Sequence, residues 1–201
     1  MLVIATSGVA AEKTGAARDH YNRLSTTIAE ILDRWRSVTG TQYPTLAAAI
    51  TASPGAGDRI RELLRAEASA PGGGEERVTR FEHFLLESDM LIPAAADALA
   101  RGDLGKLGAV VDQSQQAAEQ LLGNQIPETS FLARQARELG AVAASAFGAG
   151  FGGSVWALVP ESDADAFRAR WADTYAARFP VVARRSEFFV TRAGPGAVEL
   201  M

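Results

Sequence analysis

The chain contains no cysteine, which excludes disulfide bonds and thiolate metal ligands. It has only two histidines, His20 and His83, so a histidine-rich metal centre is not expected. No apolar run reaches the length of a membrane span, and the apolar N-terminus lacks the basic stretch of a signal peptide. Neither sign of charge predominates: 20 basic and 24 acidic residues give a net charge of −4, with no electrostatic reason to expect nucleic acid or a membrane as partner. These absences predict a cytoplasmic protein.

Apolar residues recur with the periods of helices and strands along the 201 residues, 47% of which are hydrophobic. Steps of three and four predict helices over residues 14–38, 58–68, 76–100, 103–122, 127–140 and 163–179. Short apolar runs predict strands over residues 2–6, 141–147, 154–159 and 187–191. Because helices and strands do not alternate regularly, the pattern predicts an α+β fold with a sizeable core.

Residues 41–77 differ in character, since two clusters of glycine and proline flank one short helix. The pattern predicts that this segment is a peripheral excursion from a single domain spanning residues 1–201. Pro93 predicts a kink or an end in the helix that begins near Glu76, because proline lacks an N–H and clashes with the preceding turn. Asp103 is the predicted N-cap of the next helix.

The loop between the second and third predicted strands carries four glycines, Gly148, Gly150, Gly152 and Gly153. A Walker phosphate loop would require Gly-Lys-Ser/Thr, and this loop contains no lysine. A dinucleotide fingerprint would require a helix after the glycines, whereas Ser154 opens a strand-like run. Dense glycines nevertheless allow positive φ and a close approach of backbone amides. The pattern leaves two interpretations open: a loop that binds a phosphate or a substrate, and a plain turn between strands.

The run Gly148-Ala149-Gly150-Phe151-Gly152-Gly153-Ser154, followed by a strand, resembles the third, C-terminal motif of the GHMP small-molecule kinases, most of all that of galactokinases. The resemblance covers nearly the whole chain and is poorest over residues 41–77. The other segments that carry it are Ser7-Gly8-Val9, Tyr21-Asn22-Arg23, Arg101-Gly102-Asp103-Leu104, residues 108–114, Pro127-Glu128, Phe188-Phe189-Val190 and Gly196-Ala197.

This resemblance implies a ferredoxin-like α+β sandwich, in which helices pack against an antiparallel sheet, and residues 1–201 would be the C-terminal domain of the kinase. It implies that the complete enzyme uses ATP and Mg²⁺ to phosphorylate a sugar hydroxyl. Tyr21 would touch the sugar, although it also fits a core position on its helix, and both interpretations stay open. The implied nucleotide and active-site loop consists of Gly148, Ala149, Gly150, Phe151, Gly152, Gly153 and Ser154.

The family's N-terminal domain carries a sugar-binding motif, a serine-rich loop around the ATP phosphates and a carboxylate that acts on the sugar hydroxyl, and residues 1–201 contain none of them. We therefore assign no catalytic residue and no metal ligand, and expect neither tight ATP binding nor sugar-dependent turnover by this chain alone. An N-terminal GHMP kinase domain is the expected partner. Because the lone domain would expose the surface that meets this partner, we expect the lone domain to self-associate. The alternative is a non-catalytic binding or dimerisation module that kept the fold.

Three departures from the family pattern concern the sugar specificity more than the fold. Ser145 and Phe147 stand where the family usually has a basic residue and a threonine before the loop. Ser114-Gln115 replaces the Ser-His pair common in galactokinases, and an acidic residue is replaced near Thr129-Ser130.

Overall fold

The computed structural model describes residues 1–11, 16–69 and 74–194, with the side chains of the first helix described from residue 22 onward. Its strands are β1 (Leu2–Thr6), β2 (Ala143–Phe147), β3 (Ser154–Leu158) and β4 (Phe188–Thr191). Its helices are α1 (Ala16–Thr39), α2 (Leu46–Thr51), α3 (Ala56–Ala68), α4 (Glu75–Leu85), α5 (Ile92–Arg101), α6 (Leu104–Ala117), α7 (Pro127–Glu138) and α8 (Ala164–Arg178). The sequence patterns predicted these elements except α2, and the turn and short segment predicted over residues 194–200 lie mostly outside the described residues.

The four strands form one antiparallel sheet in the order β2-β3-β1-β4. The central strand β1 pairs with β3 from Leu2↔Leu158 to Thr6↔Ser154, and on its other side with β4. The chain order, strand–helices–hairpin–helix–strand, places β3 between β1 and β2 and gives the split arrangement of ferredoxin-like folds. The predicted α+β class and ferredoxin-like sandwich are confirmed.

The described chain divides into two compact units. The first comprises Met1–Ala11, Ala98–Gln115 and Gln125–Met201, and the second comprises Glu12–Asp97 and Gln116–Asn124. No helix in the described part of either unit is long and apolar enough to cross a membrane.

In the first unit, α7 and α8 pack on the sheet. The alternation of β1 places Val3 and Ala5 in the core, and α8 meets them with Phe167, Trp171 and Tyr175 at helical spacing, as the apolar pattern predicted. These rings are buried with their polar atoms satisfied. The Trp171 indole N–H donates to the Leu132 carbonyl at 3.1 Å, so burial of the ring leaves no orphaned donor.

The second unit has a core of its own, which α1, α2, α3 and α4 build together. Residues of the segment 41–77 contribute to it, because α2 and α3 bury one apolar face each. Its buried members are Ile31, Leu32, Trp35, Leu46, Ala49, Ala56, Ile60, Leu64 and Phe81. The sequence pattern missed α2 because its six residues are too few to show a helical period.

The helix that begins at Glu75 is interrupted one turn before Pro93. A π-helical turn, Leu86–Leu91, follows α4, and the Ile92 N–H donates to the Glu87 carbonyl five residues earlier. A π turn widens the helix, which lets the chain accommodate the ring and the missing N–H of proline without leaving helical geometry. The predicted disruption is therefore present as a local widening, and the chain resumes as α5.

His83 should make the stability of the protein depend on pH. The side chain is buried, Nδ1 lies 3.1 Å from the Arg80 guanidinium, and burial together with Arg80 lowers the pKa of His83 below its ordinary value, against a weaker opposite effect of Glu87. Between the lowered pKa of His83 in the folded chain and its ordinary pKa in the unfolded chain, the unfolded chain binds a proton at His83 that the folded chain does not. The free energy of unfolding is therefore highest above the unfolded pKa of about 6.5 and falls as the pH drops below it.

Urea denaturation from about pH 8 to about pH 5 measures this loss. The His83→Gln variant keeps a hydrogen-bond acceptor for Arg80 without a titrating group, and its stability should vary less over the same range. Equal pH dependence in both proteins would contradict a role for His83.

Candidate functional site

The glycine loop, Gly148–Gly153, joins β2 to β3 through a succession of positive φ angles. Gly148, Gly150, Gly152 and Gly153 have φ of 90°, 84°, 128° and 84°, and Phe151 between them has φ of 58°. Residues with a β-carbon rarely adopt such angles, since their side chains clash with the backbone. The glycine density thus reflects a backbone path that other residues cannot follow without strain.

The end of this loop pairs with the segment that follows β1. The Gly153 N–H donates to the Val9 carbonyl at 2.9 Å, and the Ser7 N–H donates to the Gly153 carbonyl at 2.8 Å. A β-carbon built on the buried Gly152 would lie 2.8 Å from the Val9 carbonyl oxygen. This close approach requires glycine at position 152 for space as well as for φ.

The segment after β1 is in turn tied to α8 through Ser7. Ser7 is fully buried, its hydroxyl oxygen accepts from the Val9 N–H at 3.2 Å, and its carbonyl accepts from the Tyr175 hydroxyl at 2.5 Å. Burial raises the pKa of Tyr175 to about 12, with a further contribution from Glu128, so the phenol keeps its proton and donates. The loop is thereby attached through Ser7 to the helix that forms the core.

The beginning of the loop is held by Gln115 of α6. Strand β2 lies at an edge of the sheet, and the side-chain Oε1 of Gln115 accepts from the Ala146 N–H and from the Ser145 hydroxyl, both at 2.9 Å. Helix α6 reaches β2 because Gly108 has no side chain: a β-carbon there would lie 2.2 Å from the Val142 carbonyl. The Gln115 side chain thus provides for the Ala146 N–H the acceptor that a neighbouring strand would otherwise provide.

The loop itself carries no net charge. Residues 145–154 contain no charged side chain, so the polar contacts of the loop with a ligand can come only from backbone groups and from the hydroxyls of Ser145 and Ser154. Among the described residues there is no group of three or more His, Asp or Glu side chains that could hold a metal ion. The loop can therefore shape a binding surface and contact a ligand, but its own side chains provide no acid, base or metal ligand.

The structure brings the predicted loop residues Gly148 to Ser154 together with Ser7–Val9, while the side chain of Tyr21 in α1 lies outside the described residues. Residue patterns did not reveal the bonds that Gln115 and Tyr175 make. Ser114-Gln115 did stand out as a departure from the family, and Tyr175 stood out as part of an apolar stripe. The ligand-binding roles assigned to the loop and to Tyr21 stay predictions.

Known proteins share both the sequence pattern and the fold of this chain. The family model for GHMP kinases C terminal matches residues 95–177, which include the whole glycine loop. A galactokinase of Thermococcus kodakarensis is 30% identical over 125 residues, which cover 62% of this chain and 35% of that protein. A galactokinase of Mannheimia succiniciproducens is 27% identical over 139 residues, which cover 68% of this chain and 35% of that protein.

A solved structure extends the likeness to three dimensions. The crystal structure of Lactococcus lactis galactokinase complexed with galactose superposes with a TM-score of 0.72 at 26% sequence identity, covering 99% of this chain and 46% of that one. In the two sequence matches above, the chain spans about 35% of the length of the curated relatives. These matches confirm the resemblance that the glycine motif indicated.

Alanine at Gly152 should destabilise the protein more than alanine at Gly148. Both glycines have positive φ, but a β-carbon at Gly148 meets nothing within 4 Å, whereas one at Gly152 meets the Val9 carbonyl. We expect Gly148→Ala to cost about 1–2 kcal/mol of unfolding free energy through backbone strain alone. Gly152→Ala should cost about 1–3 kcal/mol more, because the backbone must shift to relieve the clash.

Urea denaturation of the two variants measures the difference, with Gly148→Ala serving as the control for backbone strain. Equal losses in the two variants would mean that the contact between the loop and Val9 does not constrain the fold.

Replacing Gln115 by methionine should loosen the start of the loop. Methionine has a similar volume but cannot accept the bonds from Ala146 and Ser145, so the Gln115→Met variant should lose about 1–3 kcal/mol of stability. The Ala146 amide should also exchange its hydrogen faster. Ser145→Ala removes only the hydroxyl bond and should leave the Ala146 amide protected. Amide hydrogen exchange followed by NMR checks this, and unchanged exchange at Ala146 in Gln115→Met would contradict it.

Proposed function

We propose that this chain, which is similar to the C-terminal part of galactokinases and to the GHMP kinases C-terminal family, forms one wall of the active site of an ATP-dependent sugar kinase. The complete enzyme would transfer the γ-phosphate of ATP to a hydroxyl group of a sugar. The chain's own part is to position the reacting groups, since phosphoryl transfer depends on placing nucleotide, metal and acceptor while charge develops.

The observation that carries this proposal is the anchored geometry of the glycine loop. Four glycines with positive φ follow β2, and the loop is held at one end by Gln115 and at the other by Ser7 and Val9. A plain turn between two strands needs two to five residues and rarely this many left-handed positions. Anchoring at both ends holds the backbone of the loop in one position, which a loop that contacts a ligand through its backbone requires.

In the proposed enzyme the loop would face the nucleotide through its backbone amides and the Ser154 hydroxyl. Mg²⁺ would neutralise the charge of the phosphates, with ligands from the phosphates and from the other domain. Tyr21 as a sugar contact, residues 1–201 as one C-terminal domain, self-association and a cytoplasmic location stay predictions of the same hypothesis.

An N-terminal GHMP kinase domain is the proposed partner. The relatives that match this chain extend well beyond the matched part, which covers 35% of their length. The serine-rich phosphate loop and the acting carboxylate expected for the family have no counterpart within residues 1–201. A domain that provides both would complete the site.

The test is an assay of sugar-dependent ADP release over a panel of hexoses that includes galactose. We expect no turnover by the 201-residue chain alone and measurable turnover once an N-terminal GHMP kinase domain is added in trans or by fusion. Turnover by the chain alone would contradict its dependence on that partner. A complete absence of turnover in every assembled form would favour a non-catalytic binding or dimerisation module.

The Gly148→Ala variant tests the role of the loop in the assembled enzyme. Its β-carbon meets no protein atom within 4 Å, so its effect on folding is limited to backbone strain. If the loop faces the ligand, turnover should fall by tenfold or more, well beyond what the loss of folded protein explains, because small displacements at a phosphate are costly. Loss of activity in proportion to unfolding would identify the loop as a turn only.

A further inference from the structure

A cleft of about 350 Å³ lies beside the end of the glycine loop in the first unit. Its described walls are the end of β1 at Thr6, the segment 8–10, the loop residues Gly153 and Ser154, and Arg185. No carboxylate is among these residues, and Arg185 is their only charged side chain. We call it the Arg185 cleft.

Arg185 is brought to this cleft by two contacts of the backbone around it. It ends a 3₁₀ turn, Val182–Arg185, against which Gly8 packs so closely that a β-carbon at Gly8 would lie 2.3 Å from the Val182 carbonyl. On the other side, Thr6 and Glu187 exchange hydrogen bonds of 2.8 Å, from the Thr6 N–H to the Glu187 carbonyl and from the Glu187 N–H to the Thr6 hydroxyl oxygen. The position of residue 185 relative to β1 is therefore set on both sides.

The guanidinium of Arg185 makes no ion pair with a carboxylate in the described part of the chain. Some arginines of the first unit pair with carboxylates, as Arg137 does with Asp112 and Arg192 with Glu161, whereas no described acidic side chain pairs with the exposed Arg185 or with its neighbour Arg184. A planar guanidinium that is free of an internal carboxylate matches the two oxygens of a phosphate group.

Two hydroxyls add hydrogen-bond donors to the same cleft. The Thr6 hydroxyl oxygen already accepts from the Glu187 N–H, so its own hydrogen is left to donate elsewhere. Ser154 lies where the loop enters β3, and its hydroxyl makes no hydrogen bond with the described residues. One cation and two hydroxyl donors, with no acid, form an arrangement that suits an anion.

We propose that the Arg185 cleft binds a phosphate group through the guanidinium of Arg185 and the hydroxyls of Thr6 and Ser154. One cation and two hydroxyl donors suffice for a single phosphate group, and the described lining offers no aromatic ring for a base to stack on, so the cleft is a subsite and not a complete nucleotide pocket. The proposal rests on the proposed kinase function only for the source of the phosphate, which would then be the nucleotide or the phosphorylated product.

The experiment is an NMR titration of the ¹⁵N-labelled chain with inorganic phosphate, pyrophosphate and ATP at constant ionic strength. Saturable shifts of the Gly8, Gly153 and Ser154 amides are expected. The Arg185→Gln variant should weaken binding by about tenfold or more, since charge-assisted bonds are lost. Arg185→Lys should lie between the two, because it keeps the charge without the fork. ATP and pyrophosphate binding more tightly than phosphate would indicate a nucleotide as the source.

The matched control is Arg184→Gln, an equal change of charge at the neighbouring exposed residue, which does not line the cleft. Retained binding in Arg184→Gln together with lost binding in Arg185→Gln supports the subsite. Equal losses in the two variants, or no saturable shift, would overturn it in favour of general electrostatic attraction. If the chain binds phosphate but no assembled form turns over a sugar, the proposed kinase function is wrong and the subsite stands. If the assembled enzyme is active, Arg185→Gln leaves its turnover unchanged and the chain shows no saturable phosphate binding, the subsite is wrong and the kinase function stands.

Discussion

Two backbone hydrogen bonds join the end of the glycine loop to the segment that follows the central strand. Through them Gly153 takes up a position beside Ser7 and Val9, and Ser7 is held by the Tyr175 hydroxyl of α8. The other features of the candidate site depend on this attachment. It requires glycine at position 152, where a side chain would meet Val9, and it places Ser154 beside the open end of β1. A loop without charged residues thereby acquires a defined shape from the core beneath it.

The start of the loop shows how separate departures from a family pattern can form one local structure. Gln115 and Ser145, both of which stand out in the sequence as departures from the galactokinase pattern, lie 30 positions apart. In the structure the Ser145 hydroxyl donates to the Gln115 side chain, which also accepts from the Ala146 backbone. The pair satisfies the Ala146 N–H at the edge of β2 without a charge. The two positions therefore have to be interpreted together, since a change at one alters the partner available to the other.

Much of the fold was predictable because its signals are local. The stripe of Phe167, Trp171 and Tyr175 predicted the buried face of α8, and the Asp103 side chain does accept from the Lys106 N–H at 2.9 Å as an N-cap. Pro93 predicted a disruption but not its form as a π turn, and the π-helical turn Ala118–Leu122, which follows α6, was not predicted at all, because such turns adjust helices to their packing and leave no periodic mark. The independent core that α2 and α3 build with α1 and α4 was missed for a related reason: a six-residue helix carries too little pattern.

The sequence by itself determined the α+β class, the glycine positions and the GHMP resemblance, because each depends on residue type and spacing along the chain. Only the tertiary structure decided which segments hold the loop and which lie beside it. Gln115, Tyr175 and Arg185 reach the site from α6, α8 and a 3₁₀ turn, at distances along the chain that no local pattern encodes. Their meeting follows from the antiparallel pairing of β1 with β3 and β4, which brings residues near position 6 beside those near positions 154 and 187. Strand pairing over such separations is decided by burial of the whole sheet face, so it becomes visible only when the chain is folded.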